Sequence, residues 1–392
     1  MRKKILVMFC LAFVLLSFIS DVYGTEEKDL LLDDYAKSYG EVFEDGIYET
    51  GTENIFLTIA PEFSMTEMLK SLNRGELSLY PGEIMKGIWK LLLGEVYSGA
   101  RLMAVVLVMS ILSSYLTGLK SSFGQSGVSV AAFYVCYIVA AGTAAAAFYE
   151  TASCAGDAVN NVSVFMKIIV PAVVTMLYTS GAIVSASTLQ PVILLMVEII
   201  VPVVQTVFIP SVMVVAALNI VNGISERFKT DRMVKLLNNI VRWGLTIMLT
   251  VFVSLTGLKS LVSGGADGLA LKLSKFATSN LVPLVGGILA ESVETVMGCS
   301  VVIKNSVGVL GIICIIIIAA MPVLKLGAMI IVFRITAAIA EPVSDPKIIS
   351  CISRLADSIG VLFSIVVSAT VMFIIVITIM INTGNDAVML GG

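Results

Sequence analysis

The chain has 392 residues, a formal net charge of −3 and no histidine. It is 58% hydrophobic and 14% charged, with a mean hydropathy of +0.99, where a soluble domain carries about 25% charge. That excludes a soluble globule and predicts an all-α polytopic membrane protein, while the missing histidine removes the usual general base and the commonest metal ligand.

Residues 1–24 read as a signal peptide. Met1-Arg2-Lys3-Lys4 is a positive leader, residues 5–19 are apolar, and Val22-Tyr23-Gly24 suits cleavage before Thr25. The next part, 25–97, is expected to be a small helical extracytoplasmic segment. Residues 25–83 carry 14 Asp/Glu against 4 Lys/Arg, whereas 84–392 carry 13 against 18. Ser64-Met65-Thr66-Glu67 is a capping box that opens one short helix, and Gly75 closes it. A second helix over 83–97 puts Ile84, Ile88, Leu91, Leu92 and Val96 on one face, with Trp89, Lys86 and Lys90 suited to a membrane interface. This segment reads equally as a lead-in on the bilayer and as a docking surface for an extracytoplasmic partner.

The remainder, 98–392, reads as the membrane domain, with about six to eight transmembrane helices. Spans of roughly 18–23 apolar residues are predicted at 102–119, 128–149, 168–187, 243–262 and 359–381. Two stretches are too long for one straight span and carry prolines. They are 189–221, with Pro191, Pro202 and Pro210, and 307–340, with Pro322. Each reads either as one tilted helix or as a broken or re-entrant segment, with Pro202, Pro210 and Pro322 as the candidate breaks. Residues 281–300 read as a half-span, and 225–242 and 342–357 as basic amphipathic connectors. A connector carrying Arg227, Lys229, Arg232, Lys235 and Arg242 belongs on the cytoplasmic side. With the spans above, that requires a hairpin at 189–221.

An internal repeat is also expected. Leu116-Thr117-Gly118-Leu119-Lys120-Ser121 recurs as Leu255-Thr256-Gly257-Leu258-Lys259-Ser260, 139 positions later. Copies at 102–242 and 243–357, followed by a final helix at 359–381, would account for it. As a parallel repeat, this plan puts both copies of the hexapeptide on one side and disagrees with the charge rule.

No P-loop, GxSxG, HExxH or paired-cysteine motif is present. Cysteines at 10, 136, 154, 299, 314 and 351 read as small apolar fillers. No catalytic, cofactor-binding or metal-ligating residue is therefore expected, nor any nucleic-acid partner. What carries chemistry is a short set of polar groups at membrane depth: Glu198, Gln205, Lys325 and Arg334, with Lys167 and Asn219 beside them. They read as a polar path or as pairs between halves, Glu198 with Arg334 or Lys325 first. The plainer alternatives are a structural ion pair or, for Lys167, a snorkelling end residue. Small-residue runs at 140–147 and 308–311 suit close helix packing.

The order of features, with Glu226-Arg227-Phe228-Lys229, Lys235-Leu236-Leu237, Ala340-Glu341-Pro342-Val343-Ser344-Asp345 and Arg354-Leu355-Ala356-Asp357-Ser358, resembles the stage III sporulation protein AE family. The resemblance implies a permease-like subunit of a channel or secretion-like complex in the mother cell membrane around the forespore of endospore-forming Firmicutes. It implies as partners the other membrane proteins of the stage III sporulation A complex, a separate cytoplasmic ATPase and, across the intermembrane space, the stage II sporulation protein Q. It brings no catalytic residues and no cofactor.

Overall fold

A computed structural model describes residues 29–50, 65–74, 81–118, 126–224, 230–281 and 286–383, and every regular element among them is helical. The chain order is α1 (Asp29–Glu49), α2 (Met65–Arg74), α3 (Pro81–Ser98), α4 (Ala100–Gly118), α5 (Ser126–Thr179), α6 (Ile183–Val203), a π-helical turn (Val204–Phe208), α7 (Ile209–Ile224), α8 (Asp231–Leu281), α9 (Gly286–Ala340) and α10 (Pro346–Asn382). Six stretches are long and apolar enough to cross a membrane: Lys86–Tyr115, Ala131–Thr179, Ile183–Ile224, Asp231–Leu258, Met297–Ala340 and Pro346–Asn382. The protein is an all-α polytopic membrane protein. The signal peptide, the capping Ser64, Gly75, Arg227 and Lys229 lie outside the described residues.

The main departure from the sequence reading is in α5. Two spans at 128–149 and 168–187 were expected, separated by the polar stretch 150–167. Instead α5 is one helix of 54 residues, about 80 Å long. The polar stretch keeps helical period. Phe148, Thr151, Ala152, Ala155, Ala158, Val159, Val162, Phe165, Met166 and Ile169 are all buried, a stripe at spacings of three and four. Glu150, Asp157 and Asn160 point away from it. The charges therefore decorate the outer side of a helix whose core face never stops. Ser187, taken as the end of the second span, belongs to the next helix.

The hairpin expected at 189–221 is absent. From Ile183 to Ile224 the chain stays helical, with one π turn where the prolines crowd. Pro202 and Pro210 remove two helical N–H donors within three turns, and the wider π turn between them absorbs the mismatch. Thr206 Oγ1 donates to the Pro202 carbonyl at 2.6 Å, and Ser211 Oγ to the Val207 carbonyl at 2.5 Å. In α9, Pro322 sits within an unbroken helix that begins at Gly286. From Gly286 onward the expected half-span and the 307–340 segment are thus one helix of 55 residues. The two basic connectors are largely the first turns of α8 and α10.

The long helices alternate in direction. Gly181, at φ 83°, makes the tight turn from α5 into α6. The other end of the bundle holds the 224–231 and 340–346 links, and we call it the connector end. α10 lies in the centre, packed on α5, α7, α8 and α9, with Ile359, Leu362, Ile365, Val366, Met372 and Phe373 fully buried. The small-residue runs pack as expected. Ala140, Ala141 and Ala144 are buried, and a Cβ on Gly308 or Gly311 would press on Ile381 or on Ile169 and Ile377. Cys136, Cys314 and Cys351 are buried and, with Cys154 and Cys299, unpaired.

α1 and α2 pack together and onto α5 and α9 near the turn end. Phe43 meets Phe165 at 6.1 Å, and Ile47, Met68, Leu69 and Leu72 are buried. The acidic segment is therefore seated on the bundle through its apolar side, not laid loosely on a bilayer.

Candidate intramembrane polar site

The structure places the four sequence-predicted polar groups apart. Glu198, on α6, pairs with Lys167 of α5 at 2.8 Å. Lys325, on α9, pairs with Glu150 of α5, also at 2.8 Å. Arg334 pairs with Asp357 of α10 at 3.1 Å. Gln205 stands exposed in the π turn. Glu198 meets neither Lys325 nor Arg334 because Lys167 and Glu150 are seventeen residues apart on α5, about 25 Å along its axis. Lys167, read as a snorkelling residue, is instead the direct partner of Glu198.

These pairs share one property. The side chains of Lys167 and Glu198 are 51% and 67% exposed, and that of Glu150 is 73% exposed. They lie on the outer surface of membrane-competent helices, not in the core. An ion held against lipid there costs roughly 2.5–3.5 kcal/mol on insertion scales. Opposite charges at 2.8 Å offset part of that cost. The rest requires water or a polar protein surface beside them.

Two further charges, which the sequence reading did not select, are fully buried and cap helix ends. Asp267 of α8 accepts from Val184 N at 2.7 Å and from Ser185 N at 3.1 Å. The local N-cap of α6 is Ala182, which offers no side-chain bond. A carboxylate from 83 positions away fills that role, at the positive end of a long helix. Lys304 of α9 donates to the Thr383 carbonyl, the C-cap of α10, at 2.6 Å. That places a cation at a negative helix end. Asp267 follows Gly264-Gly265-Ala266, a run with no helical signal, and Lys304 sits between the apolar Val301-Val302-Ile303 and the polar Asn305-Ser306.

The connector end is the third polar cluster. Arg354 Nη1 donates to Asp231 at 2.5 Å, and Asn222 donates to the same carboxylate at 3.1 Å. Asp345 caps α10 by accepting from Lys347 N at 2.9 Å. Asn219 is buried, with Nδ2 3.5 Å from Ser358 Oγ. Tyr137 donates to the Ile220 carbonyl at 2.7 Å. A small cleft there is lined by Asn219, Asn222, Lys347, Ser350, Cys351 and Arg354. These contacts join α5, α7, α8 and α10.

The family model for stage III sporulation protein AE matches residues 63–384. The chain belongs to that family. The stage III sporulation protein AE of Bacillus subtilis (strain 168) is 28% identical over 332 residues, covering 85% of this chain and 83% of that protein. No solved structure matches. In this member of the AE family, the stretches around Lys235, Asp345 and Arg354 that first suggested the family all meet at the connector end. There Arg354 of α10 ties to Asp231 of α8, and Asp345 caps α10. This is a sporulation-related, multi-pass membrane protein.

Proposed function

We propose that the chain is a permease-like, non-enzymatic subunit of the mother cell–forespore channel or secretion-like complex. Its place is the mother cell membrane around the forespore. Its partners are the other stage III sporulation A membrane proteins, a separate cytoplasmic ATPase and, through the complex, the stage II sporulation protein Q. In this reading the N-terminal segment of 25–97 stands outside the cytoplasm up to Lys86, where the first membrane-competent run begins, and the rest of the chain forms the membrane part. The observation that supports it best is the exposed Lys167–Glu198 pair on apolar helices. A chain acting alone in lipid has no use for charges on its outer surface, whereas a subunit can set them against a neighbour or an aqueous path.

The test is the Lys167→Gln/Glu198→Gln double variant. The purified variant is expected to melt like the parent, because the pair is exposed, yet to co-purify poorly with its membrane partners and to block sporulation. Unchanged sporulation and assembly would leave a purely structural scaffold. Solute flux by the purified chain in proteoliposomes, abolished by Glu198→Gln, would establish a self-sufficient secondary transporter instead.

A further inference from the structure

We propose that the first turns of α8 form a binding site for anionic phospholipid. Arg232, Lys235, Leu236, Asn239, Ile240 and Trp243 line one shallow groove on a single side of the helix, and every one is exposed. The order along that side is cation, then aliphatic, then tryptophan, and beyond Trp243 it continues with exposed Ile247 and Val251. The opposite side turns Val241, Leu245 and Phe252 into the core, and Gly244 faces the Phe208 ring. The groove thus looks outward from the bundle.

Charge selects the ligand. Asp231 at the head of the helix is held mainly by Arg354 and Asn222, with a weaker charge interaction from Lys235 one turn on. From Arg232 to Ala266 there is no further acidic residue, while Arg232, Lys235, Arg242 and Lys259 are basic. Among the described residues no ion pair engages Arg232 or Lys235. Depth selects the source of the anion. The membrane-competent stretch of α8 starts at Asp231. Lys235 lies eight residues before Trp243, about 12 Å along the helix. With the indole at the edge of the hydrocarbon, where tryptophan concentrates, the two cations reach the phosphate layer. Leu236 and Ile240 then line the path of an acyl chain. A free phosphate would use the cations and leave that apolar stripe uncovered.

The chain has two tryptophans, so Trp89→Phe leaves Trp243 as the only indole reporter. The purified Trp89→Phe protein is reconstituted in phosphatidylcholine vesicles, and increasing fractions of phosphatidylglycerol or phosphatidylcholine with brominated acyl chains are added. Brominated phosphatidylglycerol is expected to quench Trp243 with up to about 30-fold greater relative affinity, the gain two surface cations at about 1 kcal/mol each give toward an anionic lipid. The preference should fall to near parity in Arg232→Gln/Lys235→Gln and shrink in about 0.5 M salt, where the Debye length is about 4 Å against about 10 Å at 0.1 M. Both cations are exposed, so the variant retains its fold, which an unchanged melting temperature would verify. Equal quenching by the two lipids, or a preference that survives the double substitution, overturns the proposal. So does absence of quenching by either lipid, which would mean that protein covers this side of α8.

Discussion

The buried carboxylate of Asp267 offers the sharpest test of how the bundle is held. Removing it as Asp267→Ala strips the acceptor from two backbone donors at Val184 and Ser185, at a site with no accessible surface. Each charged hydrogen bond is worth about 1.5–3 kcal/mol, and a lost N-cap alone costs about 0.5–2 kcal/mol. The contributions overlap, because the two donors share one carboxylate whose own burial is costly. A net loss of about 2–4 kcal/mol follows, or roughly 2–5 °C in the apparent Tm of a chain this size. Asp267→Asn keeps one acceptor and loses the charge, so it should sit between parent and alanine variant. The assay is thermal unfolding of the purified protein in mild detergent, read by a thiol-reactive dye that reports the buried cysteines. The reasoning fails if Asp267→Ala melts within about 1 °C of the parent, since no capping bond of that kind could then be contributing.

The cap at the other helix end predicts that Lys304→Met costs about 1–3 kcal/mol in an SDS unfolding titration, by freeing the Thr383 carbonyl. A Cβ on Gly223 would collide with the Tyr137 hydroxyl, so Gly223→Ala and Tyr137→Phe should be coupled. Each alone destabilises by about 1 kcal/mol, and the double variant should cost less than their sum. In a cysteine-free background, Ser187→Cys and Arg232→Cys should react with a membrane-impermeant maleimide from opposite faces of sealed vesicles. Labelling of both from one face would restore a hairpin between them.

The helical class, the membrane setting and the family were legible because they rest on composition and motif order, which survive errors in any one element. The breaks in α5 and α6–α7 were not. Hydropathy averages both faces of a helix, so Glu150, Asp157 and Lys167 hid the buried stripe from Phe148 to Ile169. Prolines read as breaks because a lone helix cannot spare their N–H groups, yet neighbours and the π turn accommodate Pro202, Pro210 and Pro322 here. Glu198 and Lys325 were visible as costly charges, but their partners were not. Partner choice depends on the register between helices, which the sequence states nowhere. Asp267 and Lys304 were missed for the same reason: a cap delivered across 83 or 79 positions has no local pattern.

Fusing 128–149 with the residues up to Thr179 also removes the conflict between charge and topology. Counted as separate spans, they forced a hairpin into 189–221 to keep the basic residues cytoplasmic. Counted as the single helix α5, they change the parity by one. The run Lys86–Tyr115, then α5, then α6 through α7 make three passes, so the link at 224–231 lies opposite the start of α3 with no hairpin. An external N-terminal segment then puts Arg232, Lys235, Lys347 and Arg354 on the cytoplasmic side, as the bias of basic residues requires. The same count separates the two copies of the hexapeptide. The first closes α4, and the second lies inside α8, which returns in the opposite direction. A duplication of three passes per half would invert the second half, so a parallel repeat and this parity cannot both hold. The Asp231–Arg354 ion pair and the hydrogen bond from Asn222 to Asp231 close the connector end around those basic residues, so the charges that set the parity sit together.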